Sequence, residues 1–228
     1  MRQIVLDTET TGLVPSQGHR IIEIGCIEIV NRRLTGREFH RLVNPERDID
    51  EGAERVHGIS RADLANQPRF AEVADELLDF IRGGELVIHN AEFDVGFLEH
   101  ELKLMSHPQP LISTHALVLD TLALARQMHP GQRNSLDALC KRYAVDASKR
   151  ELHGALIDAE LLARVYLAMT GGQAAFSLNA EDGNGVASDE QSAARPRRTD
   201  VKFVVITASE EERAAHEAIL KRMPVRGQ

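Results

Sequence analysis

Residues 2–12 read Arg2-Gln3-Ile4-Val5-Leu6-Asp7-Thr8-Glu9-Thr10-Thr11-Gly12, a short β-prone run that passes directly into a polar, acidic string. The simplest reading is a buried strand that delivers acidic residues at its end. In an extended strand, residues two apart point the same way, so Asp7 and Glu9 present two carboxylates side by side. Adjacent carboxylates repel unless a cation lies between them. Hard divalent cations such as Mg²⁺ prefer oxygen ligands and leave part of their coordination to water and substrate phosphate. The pair is also compatible with Asp7 capping a turn with Thr8 while Glu9 is merely exposed, and since short acidic strings are common the choice depends on the rest of the chain.

Working outward, Ile21 to Val30 is dense in β-branched residues, turns at Asn31-Arg32-Arg33 and continues as Leu34 to Val43. This is the pattern of a β-hairpin in a sheet. Residues 45–58 are turn-rich and charged and read as a long surface connection. Phe70, Val73, Ala74, Leu77, Leu78 and Ile81 recur at helical spacing over 70–82, and Gly83-Gly84 stops the helix. Leu86-Val87-Ile88 reads as a second buried strand, followed by a helix marked by Phe93, Phe97, Leu98, Leu102 and Met105, with Asn90 as its N-cap. Asp120 and Asn134 stand in the same way before helical patterns over 121–128 and 135–143. A last long helix covers 156–169 and ends at Gly171-Gly172. Strands first, then helices alternating with strands, indicate an α/β domain with a mixed sheet.

At 228 residues the chain accommodates one main domain and an appendage. Hydrophobic residues at 43% and charged residues at 27% exclude global disorder and a membrane bundle. No run approaches the roughly 20 apolar residues that span a bilayer, and Met1 leads at once into the first strand, so the expected location is the cytoplasm with no membrane partner. Cys26 and Cys140 are far apart in apolar sequence and read as buried thiols. From 179 to 200 the chain has no aromatic residue and Val186 as its only large aliphatic, so it reads as a flexible linker. Beyond it, Lys202 to Thr207 and the capping-box pattern Ser209-Glu210-Glu211-Glu212 begin a structured peptide running to Met223. The expected organisation is therefore a domain over 1–178, a linker over 179–200 and a peptide over 201–228.

Two further segments carry acids. In His89-Asn90-Ala91-Glu92-Phe93-Asp94, a strand ends and Asp94 falls in the first turn of the next helix. Strand ends and the helices after them surround the ligand crevice of open α/β sheets, although an acid there also simply favours the helix dipole. In His153-Gly154-Ala155-Leu156-Ile157-Asp158, five residues of helix would set the two side chains roughly 140° apart, on different faces. His153 must therefore lie on the loop before the helix. There it can swing over the site that Asp158 enters, as a mobile general base should. An ordinary solvated histidine has the same spacing.

Taken together, Asp7 to Gly12, His89 to Asp94 and His153 to Asp158 resemble, in order, the three motifs of the DEDD superfamily of 3′→5′ exonucleases, in its DnaQ-like branch whose last motif carries histidine (DEDDh). Val56-His57-Gly58-Ile59, Arg133 to Leu139 and Val165 to Gln173 add to the likeness, which covers residues 1 to about 178 and is greatest toward the epsilon proofreading subunits of bacterial DNA polymerase III. The resemblance implies a ribonuclease H-like mixed sheet flanked by helices, with a flexible C-terminal tail. It implies hydrolysis of the 3′-terminal phosphodiester of mispaired DNA, releasing nucleoside 5′-monophosphates with two divalent ions, Mg²⁺ or Mn²⁺, about 4 Å apart. By the same resemblance Asp7, Glu9, Asp94 and Asp158 hold the ions, Asp7 bridging them, and His153 takes the proton from water. Thr10, Leu13 and His57 pack, with Asp7, Glu9 and Asp158, around the terminal nucleotide. Glu51 and Glu54 flank the place of a family glutamate near that nucleotide, and neither is assigned its role.

Residues 201–223 resemble the segment that docks on the polymerase catalytic alpha subunit, and Gln173-Ala174-Ala175-Phe176-Ser177-Leu178 resembles a sliding-clamp peptide. A sibling RNase and a non-catalytic adaptor are the competing readings. The tethered peptide argues against the first, and an intact set of four acids and a histidine against the second. The net charge of −8 excludes a stand-alone electrostatic grip on nucleic acid. It does not exclude a nuclease that meets its polyanion through carboxylate-held metal while partners keep the substrate close. Of that charge, −7 belongs to residues 1–178.

Overall fold

The computed structural model of the chain describes residues 1–148, 152–171, 209–211 and 213. The chain divides into two units, Met1–Ser177 and Leu178–Gln228, and the sheet, its helices and the site lie in the first. The expectations for Gln173–Leu178, for the linker 179–200 and for the peptide 201–228 fall outside the described residues, save 209–211 and 213. No helix among the described residues is long and apolar enough to cross a membrane.

Among the described residues five strands form one mixed sheet in the order β3-β2-β1-β4-β5. They are β1 (Arg2–Thr10), β2 (Ile21–Val30), β3 (Arg33–Leu42), β4 (Glu85–Ile88) and β5 (Leu117–Asp120). β1, β2 and β3 pair antiparallel, whereas β1–β4 and β4–β5 are parallel. The hairpin turn between β2 and β3 puts Asn31 and Arg32 at positive φ, 49° and 63°, the conformation that matches the strand twist in two-residue hairpins. The helices are α1 (Glu51–His57), α2 (Arg61–Leu64), α3 (Phe70–Ile81), α4 (Ala91–Leu104), α5 (Thr121–Met128), α6 (Leu136–Arg142) and α7 (Ala155–Gly171).

β1 is buried on both faces, so its alternation sorts the core into two layers. Ile4 and Leu6 join Phe70, Leu77, Ile81, Phe97 and Leu98 on the side of α3 and α4. Val5 joins Leu139, Leu162, Val165 and Met169 on the side of α6 and α7. Each such fully buried side chain contributes roughly 1.5–3 kcal/mol. A buried Glu101 on α4 receives two hydrogen bonds from Arg20, at 2.8 and 2.7 Å, and one from the backbone of Ile21 at 3.1 Å. This fastens the start of β2 to α4.

Four expectations differ from the structure, and one strand is confirmed in full. β1 runs through Thr10, so the strand carries Asp7 and Glu9 as its parity requires, with Thr8, Glu9 and Thr10 paired to the start of β2. Residues 51–57, expected as surface connection, form α1, which buries only His57. β5 was not anticipated; Leu117 and Val118 are exposed on this edge strand, so its sequence lacks a core-facing alternation. Asn90 occupies the N-cap position of α4 as expected, but lies in the left-handed region at φ 70° and its side chain makes no capping hydrogen bond. Ser135, not Asn134, caps α6 by accepting from the Ala138 N–H, while Asn134 bonds the carbonyls of His129 and Gln132. Asp120 does cap α5, accepting from Leu122 and Ala123. Cys26 and Cys140 are both buried thiols, and burial pushes the Cys26 thiol far up, leaving it inert.

Candidate active site

The strand alternation that sorts the core also distributes the chemistry. Asp7 and Glu9 follow Val5 toward the side of α7, while Thr8 follows Leu6 toward α4. Thr8 donates both its backbone N–H and its hydroxyl to Asp94 Oδ1, at 3.0 and 2.7 Å. Asp94, in the first turn of α4, is 3% exposed. Burial pushes its carboxyl up to about 7, against the pull of the Thr8 hydrogen bonds and with a small further push from Asp120. A carboxyl poised this way is neutralised cheaply by a proton and still more effectively by a metal cation.

His153 lies on the loop before α7, as its spacing from Asp158 requires. Its Nδ1 is 3.1 Å from Asp158 Oδ2, and its side chain is 45% exposed against 5% for Asp158. The loop is anchored at His153, whose backbone N–H donates to the Val56 carbonyl at 3.1 Å, and at Leu152, whose side chain fills the space a Cβ on Gly58 would take. Asp7, Glu9, Asp94, His153 and Asp158 all line one cleft of about 230 Å³, with Thr8, His89, Asn90, Phe93 and Leu136. Within it Glu9, His153 and Asp158 each offer a ligand atom, and these atoms lie within 4.8 Å of one another. Carboxylates in such numbers, with one imidazole, are the donor set of a hard divalent cation, so the residues present fit such an ion.

A second cavity of about 430 Å³ adjoins the cleft through Thr8, Glu9 and Phe93 and is walled by Thr10, Leu13, Ala53, Val56 and His57. Thr10 and His57 are buried, and Leu13 stands 79% exposed at its rim. The Thr10 hydroxyl donates to the Gly12 carbonyl at 2.7 Å, fixing the turn after β1. His57 accepts the Ile59 N–H on Nδ1 at 3.0 Å, so its neutral form carries the proton on Nε2, an atom that is buried without a hydrogen bond of good geometry. Burial holds this imidazole below the ordinary histidine range, keeping it neutral at neutral pH. Of α1, Gly52, Ala53, Val56 and His57 face this cavity; Glu51 and Glu54 do not.

The sequence reading therefore selected five residues that one cleft collects and three that line its neighbour. Thr8, Phe93 and His89 also line the cleft. Thr8 had a readable signal, since its strand parity is opposite to that of its acidic neighbours. Phe93 and His89 had none, because their place depends on packing between β4, α4 and α5.

The matching family model is that of the RNase_T exonucleases, over residues 4–166. The chain is 53% identical to the DNA polymerase III subunit epsilon of Escherichia coli strain K12 over 230 residues, 99% of this chain and 95% of that one. It is 48% identical to the subunit of the same name from Rickettsia felis, covering 96% of each. Among solved structures, Exonuclease X in complex with 5′-overhanging duplex DNA matches 74% of this chain and 91% of its own at 26% identity and a TM-score of 0.58. The nuclease domain of 3′hExo, a DEDDh family member bound to rAMP, shares the fold at 19% identity and a TM-score of 0.64, over 75% of this chain and 92% of its own. By its sheet, its cleft and these likenesses the chain belongs to the RNase_T exonuclease family, and within it to the DNA polymerase III epsilon subunits, 3′–5′ exonucleases of proofreading.

Proposed function

We propose that the chain removes mispaired 3′-terminal nucleotides from DNA as 5′-monophosphates. The observation that carries this reading is the convergence of Asp7, Glu9, Asp94, His153 and Asp158 on one cleft beside a cavity of nucleotide-binding size. In this proposal Asp7, Glu9, Asp94 and Asp158 would hold two divalent ions, Mg²⁺ or Mn²⁺. When bound, the ions activate the attacking water and offset charge on the phosphate and the leaving 3′-oxygen.

His153 takes the proton from that water as it attacks phosphorus, and passes it to solvent, to which the half-exposed ring is open. The Asp158 carboxylate beside Nδ1 fixes the ring's orientation and leaves Nε2 as the basic nitrogen. A second reading, in which His153 ligates an ion directly, is favoured by its closeness to both Glu9 and Asp158. Lost turnover with retained metal affinity in His153→Ala supports the base.

The terminal nucleotide occupies the neighbouring cavity. Thr10, Leu13 and His57 pack around it. We propose further that 201–223 docks on the polymerase catalytic subunit, that Gln173–Leu178 engages the sliding clamp, and that the chain works in the cytoplasm. That the relatives are DNA polymerase III epsilon subunits supports the polymerase association. The deciding experiment is a metal-dependent exonuclease assay on primed DNA with matched and mismatched 3′ ends and on RNA, with and without the polymerase subunit. Preferential cleavage of mismatched DNA ends is expected, and preference for RNA would overturn the reading. In the same assay, a chain lacking 179–228 retains cleavage but loses the polymerase in pull-downs.

A further inference from the structure

The start of α7 carries the machinery assigned above. Gly154 precedes Ala155 and has no side chain, and the first intrahelical bond runs from the Asp158 N–H to the Gly154 carbonyl at 2.8 Å. The initial N–H groups of a helix need acceptors from elsewhere. For Ala155 the acceptor comes from β2, 132 residues away in sequence: Glu23 Oε2 receives its N–H at 3.0 Å in a buried setting. Glu23 is 7% exposed, and its other oxygen, Oε1, lies 2.7 Å from His40 Nε2 on β3. It is paired in the sheet with Glu9.

We propose that Glu23 is a positioning residue for the exonuclease reaction: by holding the Ala155 N–H it fixes the start of α7, and with it His153 and Asp158, against Asp7 and Glu9 on β1. A carboxylate is suited to this, since negative charge at a helix N-terminus is favourable as well as hydrogen-bonded. The Val56 carbonyl holds His153 from one side and Glu23 holds Ala155 from the other. Loss of Glu23 removes the anchor at Ala155 and leaves the loop held at Leu152 and His153. Misplacing a catalytic group by about 1 Å costs on the order of 100-fold in rate.

This inference rests on the reading under Proposed function, and its test separates the two. Glu23→Met keeps the buried volume and removes the acceptor; Glu23→Ala is the companion if the longer side chain disturbs folding, and Glu23→Gln retains an acceptor oxygen. Two quantities are measured: kcat and KM on 3′-ended DNA, and the hydrogen-exchange rate of the Ala155 amide in metal-free protein. Expected are a kcat lowered roughly 10- to 100-fold with KM within about twofold in Glu23→Met, and an Ala155 amide that exchanges about tenfold faster while amides at the far end of α7 are unchanged. Glu23→Gln should restore both to within about threefold of wild type. A Glu23→Met protein with wild-type kcat and wild-type Ala155 exchange overturns the proposal, as does a Glu23→Gln protein impaired as severely as Glu23→Met. Wild-type protein that fails to cleave 3′ ends defeats the exonuclease reading instead, and the anchor then stands or falls on the exchange rates.

Discussion

Thr8 and Asp94 are tied twice through one oxygen: the backbone N–H and the hydroxyl of Thr8 both donate to Asp94 Oδ1, at 3.0 and 2.7 Å. β1 thus contributes to the cleft from both faces, with two carboxylates on one side and, on the other, the residue that aims a third. Thr8→Val keeps the shape and removes the hydroxyl donor. Groups that orient metal-binding carboxylates are worth about 10- to 100-fold in metal affinity. The Mg²⁺ concentration for half-maximal turnover should rise by that order in Thr8→Val, with turnover at saturating Mg²⁺ within a few-fold of wild type. An unchanged metal titration would sink the assignment.

The buried Asp94 also makes a prediction about pH. Its carboxyl is raised to about 7 by burial, whereas in the unfolded chain it titrates near 4. Between these values the folded state binds the extra proton, so the stability of metal-free protein falls as pH rises from about 4 to about 7. Above that range the full cost of a buried anion is present. The melting temperature of chelator-treated protein should therefore decline across that window, by less in Asp94→Asn, and saturating Mg²⁺ should reverse the decline. A melting temperature flat across the window in both proteins would contradict the raised carboxyl.

What could be read from the sequence follows the range of the interactions. Asp7 and Glu9 were legible because strand parity is local, and His153 was placed on a loop because helix geometry forbids it a face shared with Asp158. The α3 pattern from Phe70 to Ile81 is buried as its spacing predicts. The Ala155 acceptor was not legible, because Glu23 is 132 residues away and its position depends on strand register. β5 was hidden because an edge strand with exposed Leu117 and Val118 lacks the apolar alternation that marks a strand. Asn90 has the residue type of an N-cap but adopts a left-handed backbone at φ 70°, a conformation asparagine tolerates better than most residues.

His153→Ala tests the base directly. General-base removal costs about 10²- to 10⁴-fold in turnover. Mg²⁺ affinity and binding of a 3′-ended oligonucleotide should change by less than about threefold, because the four carboxylates remain. A direct ligand would give a different result, with weakened metal binding accompanying the lost turnover. Near-normal turnover would remove His153 from both roles.

Gly25 sits opposite Asp7 in the β1–β2 register, and α7 begins directly over it. A Cβ at position 25 would lie 2.3 Å from both the Ala155 carbonyl carbon and the Leu156 nitrogen, so either the helix start or the strand must move. Overpacking of this kind costs about 1–3 kcal/mol, or a melting temperature lower by roughly 2–12 °C in a domain of this size. The displacement falls on the segment between His153 and Asp158. Turnover of Gly25→Ala, assayed well below its melting temperature, should therefore fall at least about tenfold, more than the loss of folded protein explains. Gly36, on exposed β3, has nothing within 4 Å of its Cβ position but a φ of 80°. Gly36→Ala controls for backbone strain and should lower stability with turnover intact. Equal turnover in the two variants would show that the closeness of Gly25 to α7 does not matter for the cleft.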